Sequence, residues 1–326
     1  MRRILLSATL VATLSCGETQ REGEPLPALA PNPFITHLYT ADPSARVWDD
    51  GRLYLYPSHD IDPPRGCDLM DKYHVFSTDD LLHWTDHGQI VEAADVPWGR
   101  KPSLADGATF MWAPDCIRKN GRYYFYFPHP SDDPWNSNWR IGIAVSDRPA
   151  SGFTVLDHWL EGLGDDNFAM IDPNIFVDDD GQAYFYYGGG GRCAGARLHE
   201  NMTELAEPLT FMTGLNDFHE AAWVFKRNGT YYLTYADNHT ENGRGANRMR
   251  YAVSNKPLGP WAGKGVFLGS TSCDTSHGSV VEYKGEWYVF YHSSDLSGGR
   301  GNLRSVCVDR LGFNEDGTIR TVRQTR

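Results

Sequence analysis

The sequence predicts an all-β protein, a five-bladed β-propeller with four antiparallel strands per blade. Three observations lead there: a turn-rich aromatic composition, five copies of one hairpin pattern, and acidic residues recurring at one offset from those hairpins. Aromatic residues make up 13% of the 326-residue chain, alongside 33 glycines and 19 prolines. Runs of Ala, Leu, Glu and Lys at helical spacing are few, so the strand-forming residues set the class and little helix is expected.

The N-terminus reads MRR, then the apolar run ILLSATLVATL from Ile4 to Leu14. A charged start followed by an apolar run too short to span a bilayer is a signal peptide, here residues 1–16. The protein is therefore expected to be exported, to the periplasm, outer membrane or surface of a bacterium. Cys16 directly after the run resembles the lipidated cysteine of bacterial lipoproteins, with Thr13 where that signal usually has Leu. Lipid anchoring at Cys16 and plain cleavage both fit. Residues 17–31, GETQREGEPLPALAP, read as a polar tether, which leaves residues 32–326 for the propeller.

Five segments then share a polar turn, a glycine and an aromatic run: DDGRLYLYPSHD (49–60), KNGRYYFYFPHP (119–130), DDGQAYFYYGGG (179–190), RNGTYYLTYADN (227–238) and YKGEWYVFYHSS (283–294). Glycine accepts the positive φ that a tight hairpin connection requires, so each segment is a turn opening a strand. A short apolar strand precedes each turn: PSARVW, CIRK, NIFV, AAWVFK and SVVEY. The stretches VFSTDDLLHW, IAVSDRPASGF and YAVSNKPLGPW supply a third strand in copies one, two and four, less clearly matched in the others. Sheets of this size cannot bury both faces alone. Stacked radially they form propeller blades of about 59 residues each, and an open sandwich has no reason for five copies in phase.

Nine residues before each turn glycine stand Asp42, Trp112, Asp172, Glu220 and Ser276. The first strand of a propeller blade lines the central axis, so equivalent positions point into one small volume. Asp42 and Asp172 precede proline, and an Asx turn would explain either alone. Three carboxylates sharing one confined space repel one another and shift their pKa values, which is the mark of a working site. Glycosidic hydrolysis needs such a set: one carboxylic acid to protonate the leaving oxygen and one carboxylate on the other side. Trp112, at the same offset, and Tyr39, three residues before Asp42, offer aromatic faces to a sugar ring.

The net charge of -12 excludes a nucleic-acid partner, since phosphate binding needs clustered Lys and Arg. Calcium wants six to eight oxygens, usually several from one loop, and DDG and DDDG are spaced as hairpin turns instead. Cys67, Cys116, Cys193, Cys273 and Cys307 lack CxxC spacing and signal neither a zinc site nor a disulfide framework, the odd count leaving at least one thiol free.

The motifs ADPS (41–44), MWAPD (111–115), IDPNIFVDDDG (171–181), HEAAWVFKRNGTYYL (219–233) and SHGSVVEYKGEWYVFYH (276–292) resemble the blades of glycoside hydrolase family 43. These are five-bladed propellers that cut arabinose- and xylose-containing polysaccharides. The resemblance implies an inverting enzyme that releases α-L-arabinofuranosyl or β-D-xylosyl residues from plant or algal polysaccharide and requires no cofactor. It implies Asp42 as general base, Glu220 as general acid, and Asp172 as the residue that raises and orients Glu220. It also implies substrate contacts from Arg304, with Arg300 close by in sequence, and from His277, which in many members touches an axial water or a structural calcium ion in the channel. Loops 60–72, 92–110, 129–139 and 238–248 are expected to set specificity. Two other readings stand beside this one. A non-catalytic glycan-binding propeller would be marked by loss of one acid, which is not seen. A related propeller glycosidase could act on galactosides; for fructosides, ADPSAR departs from the N-D-P-N-G type motif.

Overall fold

The computed structural model describes residues 28–62, 67, 69–100, 109–131, 139–164 and 170–326. The leader, Cys16 and most of the tether lie outside them. Four sheets have four antiparallel strands each. The first is β1 (Tyr39–Val47), β2 (Leu53–Asp60), β3 (Lys72–Thr78) and β4 (Trp84–Glu92); the second is β5 (Asp115–Lys119), β6 (Arg122–Pro130), β7 (Trp139–Ser146) and β8 (Thr154–Trp159). The third is β9 (Asn174–Val177), β10 (Ala183–Tyr187), β11 (Ala194–Arg197) and β12 (Thr210–Phe211). The fourth is β13 (Phe218–Arg227), β14 (Thr230–Asp237), β17 (Met249–Ser254) and β18 (Ala262–Leu268), with the small hairpin β15 (Thr240–Glu241) and β16 (Arg244–Gly245) inserted as a loop.

The fifth sheet has three strands, β19 (Ser279–Tyr283), β20 (Glu286–Ser293) and β21 (Ser305–Arg310). The start of the described chain fastens to it. The Phe34 amide donates to the Val306 carbonyl at 3.3 Å, and the Asn32 side chain accepts from the Val308 amide at 2.9 Å and donates to its carbonyl at 3.0 Å. Among the described residues the only helical turn is a short 3₁₀ segment, Ala93–Asp95. The turn glycines Gly51, Gly121, Gly181, Gly229 and Gly285 all have positive φ, as the repeat requires.

First strands touch in a closed ring: β1 with β5, β5 with β9, β9 with β13, β13 with β19 and β19 with β1. The molecule is a five-bladed propeller. Its apolar core lies between neighbouring blades, where Tyr56, Tyr73 and Phe125 pack between blades one and two and Tyr291, Trp223 and Val280 between four and five. Polar side chains stitch the ring near the axis. Asp115 accepts from Ser44 (2.6 Å) and Arg46 on blade one and from Asn174 (3.1 Å) and the Ile175 amide (2.7 Å) on blade three. Asn174 accepts the Val224 amide (2.9 Å), Trp223 donates to the Val280 carbonyl (3.0 Å), and Ser279 accepts the Ala45 amide (3.0 Å). Every blade boundary is thereby hydrogen-bonded, so the inner strands hold fixed positions about the axis.

Candidate active site

Inner strands break regularity at the face where they enter the ring. β1 shifts register between Ala41 and Ser44, and β13 between Glu220 and Trp223. Asp42 has φ of 49°, Asp172 of 56° and Ala221 of 65°. A left-handed backbone at a non-glycine residue costs about 1–3 kcal/mol and gathers where surrounding structure holds it for a purpose. Here it falls at Asp42, at Asp172 and beside Glu220.

Asp42 is buried, and its partners define its charge. Oδ1 accepts from Arg304 Nη1 at 2.8 Å, and Oδ2 accepts from Ser58 Oγ at 2.5 Å and from Arg304 Nη2 at 3.3 Å. Its own amide donates to His292 Nδ1 at 3.1 Å, while His292 Nε2 donates to the Thr275 carbonyl at 3.1 Å. That pairing fixes the tautomer, and burial followed by the Arg304 charge pushes His292 down to about 3, so the ring is neutral. Burial pushes the Asp42 carboxyl up, but the Arg304 charge, with the Ser58 hydrogen bond, outweighs it and holds it below its ordinary value. Asp42 is an anion.

Arg304 is equally committed. Nε and Nη2 donate to Asp60 at 2.9 and 3.0 Å, and Nη1 also reaches Thr275 Oγ1 at 3.2 Å. With the two bonds to Asp42, all five guanidinium N–H groups have an acceptor. A substrate contact from Arg304 therefore comes only at the expense of one of these bonds.

His277 stands between the first acid and the second. Its Nδ1 lies 3.9 Å from Asp42 Oδ1 and 3.8 Å from Asp172 Oδ2. Asp172 Oδ2 in turn accepts the Ala221 amide at 2.8 Å, which ties it to the backbone beside Glu220. Burial, then the Glu220 and Asp42 carboxylates, push Asp172 well up; burial also raises Glu220, against the pull of His219. Asp172 and Glu220 titrate as a unit that retains a proton. Glu220 is the member open to a ligand, its side chain 17% exposed against 6% for Asp172.

Tyr39 stands on the rim, where its hydroxyl accepts from Arg300 Nη2 at 3.4 Å, and Arg300 also pairs with Asp62 at 2.9 Å. A cavity of about 350 Å³ there is lined by Tyr39, Asp60, Asp62 and Leu296. Trp112 belongs to an aromatic group with Trp139, ring centroids 4.5 Å apart, and Phe110 at 5.9 Å; its Nε1 donates to the Cys67 carbonyl at 2.7 Å. Among the described residues neither side chain is hydrogen-bonded to Asp42, Asp172 or Glu220. A separate cavity of about 370 Å³, lined by Arg46, Trp223, Phe225 and Trp287, lies at the opposite ends of the inner strands.

Sequence reasoning missed Asp60, Ser58 and His292, which surround Asp42 and Arg304. A usable signal existed: the second strand runs antiparallel to the first, so residues seven to nine beyond a turn glycine return to the active face. Ser58, Asp60 and His292 stand there, as does buried Asp237.

For calcium the donor set fits poorly. Among the described residues no three His, Cys, Asp or Glu side chains form a group able to hold a metal ion, and His277 offers nitrogen to an ion that prefers several oxygens. Cys116, Cys193, Cys273 and Cys307 are buried free thiols.

One carboxyl held down and two held up, gathered about His277 at one end of a five-bladed propeller, fit a glycosidase. The comparisons identify which. The family model described as glycosyl hydrolases family 43 matches residues 30–319, and the chain belongs to that family. A xylosidase/arabinosidase 43A of Humicola insolens is 36% identical over 89% of this chain and 98% of its own length. A xylosidase/arabinosidase of Bacteroides ovatus is 34% identical over 87% of this chain and 95% of its own. Among solved structures, a family 43 β-xylosidase/α-arabinofuranosidase from a compost microbial metagenome, in complex with xylotriose and in a calcium-free form, superposes with a TM-score of 0.79 at 36% identity, covering 91% of this chain and 98% of that one.

Proposed function

We propose that the protein hydrolyses terminal β-D-xylosyl or α-L-arabinofuranosyl residues from xylan- or arabinan-type chains with inversion at the anomeric carbon. The observation that carries this is the opposite shift of two carboxyls in one pit: Asp42 held anionic, the Asp172–Glu220 pair held protonated. Asp42 takes a proton from water as the water oxygen attacks the anomeric carbon; Glu220 gives its proton to the departing glycosidic oxygen. Asp172 keeps that proton on the pair, Arg304 and Ser58 keep Asp42 ionised, and the neutral His292 fixes the Asp42 backbone. Tyr39 and Trp112 are proposed as aromatic surfaces for flanking sugar.

The names of the relatives support the choice of pentoses, and the charged start with its short apolar run supports export, with an anchor at Cys16. The test is a panel of nitrophenyl pentosides and galactosides with xylobiose, arabinobiose and arabinoxylan. Turnover of pentosides is expected, and Glu220→Ala should lose at least about 10²-fold on the disaccharide and far less on the activated aryl glycoside. Binding without turnover by the unaltered protein would refute the proposal.

A further inference from the structure

His219, the residue before Glu220, is locked by a hydrogen-bond chain that leaves one ring nitrogen facing the site. Its Nδ1 meets Asn247 Oδ1 at 3.2 Å, and Asn247 Nδ2 donates to the His239 carbonyl at 3.4 Å. Because the amide nitrogen of Asn247 is committed to that carbonyl, its oxygen faces His219, and an oxygen there requires Nδ1 to carry the proton. Nε2 is left to act outward, 3.9 Å from Glu220 Oε2. That is too long for a direct bond, and the His219 side chain is 29% exposed.

Rigid support stands behind this arrangement. Asn247 and His239 flank the β15–β16 hairpin, in the 238–248 loop that the sequence marks as specificity-setting. Buried Asp237 clamps the base of the loop, accepting the His239 amide at 3.1 Å, the Arg248 amide at 2.9 Å, Arg248 Nη2 at 2.7 Å and Arg250 Nε at 2.9 Å. The imidazole is thus aimed by a braced loop and solvated on one edge only.

We infer that His219 is a specificity-determining residue for the leaving-group sugar, its Nε2 bonding a hydroxyl of the unit whose glycosidic oxygen Glu220 protonates, with Asn247 as the residue that positions it. The inference rests on the reading of Glu220 as the acid. A carboxyl that protonates the glycosidic oxygen stands beside the leaving sugar, and a polar atom 3.9 Å farther along reaches the next hydroxyl on that ring. A hydroxyl both donates and accepts, so the bond survives either protonation state of the imidazole.

The experiment compares xylobiose, whose leaving group carries hydroxyls, with methyl β-D-xyloside, whose alkyl leaving group carries none and needs the acid at least as much (arabinobiose and methyl α-L-arabinofuranoside if the wild type prefers that sugar). His219→Leu should lower kcat/KM on the disaccharide about tenfold or more and leave the methyl glycoside within about twofold. Asn247→Ala should give the same ordering with a smaller loss, and His219→Gln should recover part of it. Equal losses on both substrates would mean that His219 acts through Glu220 or through folding, and no loss would mean that it binds nothing; either result overturns the inference. A wild type that cleaves neither substrate defeats the glycosidase reading itself, a distinct outcome.

Discussion

Arg304 lies between two buried carboxylates, Asp42 and Asp60, and gives two guanidinium N–H groups to each. One cation is therefore shared by two anions, and Asp42 receives only part of its charge. Burial raises Asp60 against the opposing pull of Arg304. Replacing Asp60 by Ala leaves the buried guanidinium half-paired and should cost about 3–5 kcal/mol in a denaturant titration. The milder Asp60→Asn should concentrate Arg304 on Asp42 and move the acidic limb of the kcat/KM profile to lower pH.

Glu220 works at a cost to the fold. Its folded-state pKa is raised by burial, so its favourable contribution to stability is complete below its unfolded pKa and lost as pH rises through the folded value. At pH 7.5 the wild type carries that penalty and Glu220→Gln does not. Calorimetry should find the variant roughly 1–3 °C more stable at pH 7.5, with the gap closing below about pH 4. A less stable variant at pH 7.5 would contradict the assigned environment.

The Glu220 charge raises Asp172, so the two carboxyls lie close enough that a charged Asp172 would hold a proton on Glu220. Asp172→Asn removes that charge and should shift the basic limb of the pH–rate profile downward while lowering kcat by about 10²-fold. An unmoved limb would leave Asp172 a merely structural carboxylate.

Much of this arrangement was legible in the sequence because a propeller converts a sequence offset into a position in space. Asp42, Asp172 and Glu220 share one offset from glycines whose φ is fixed by the hairpin, so their approach to the axis followed from the repeat alone. The short third strand of blade three, Ala194–Arg197, and the fastening of Asn32 and Phe34 to β21 did not follow. Closing a ring depends on partners far apart in the chain, and periodicity carries no such information. Asp60 and His292 were hidden for a related reason: they sit on returning strands, and their meaning appears only when Arg304, from the last blade, arrives between Asp42 and Asp60. The Asp-Pro steps at Asp42 and Asp172 read locally as turns, whereas their left-handed backbone reveals a bend imposed at the axial mouth.

Asp115 tests whether every axial acid serves chemistry. It binds the first three blades together through Ser44, Arg46 and Asn174, and the Arg46 guanidinium lies 4.1 Å from the Trp223 ring centroid of blade four. Asp115→Ala should lower stability by about 3–5 kcal/mol without moving either limb of the pH–rate profile in the protein that remains folded.

The assignment of Asp42 as the anionic base and Glu220 as the protonated acid is read most directly from the stereochemistry of the first product. Proton NMR of wild-type hydrolysis at early times should reveal the anomer opposite to that of the substrate, α-D-xylose from a β-xyloside, before mutarotation mixes the two. Initial appearance of the retained anomer would require a nucleophilic carboxylate about 5 Å from the acid and would contradict the assignment of Asp42 as a base acting on water.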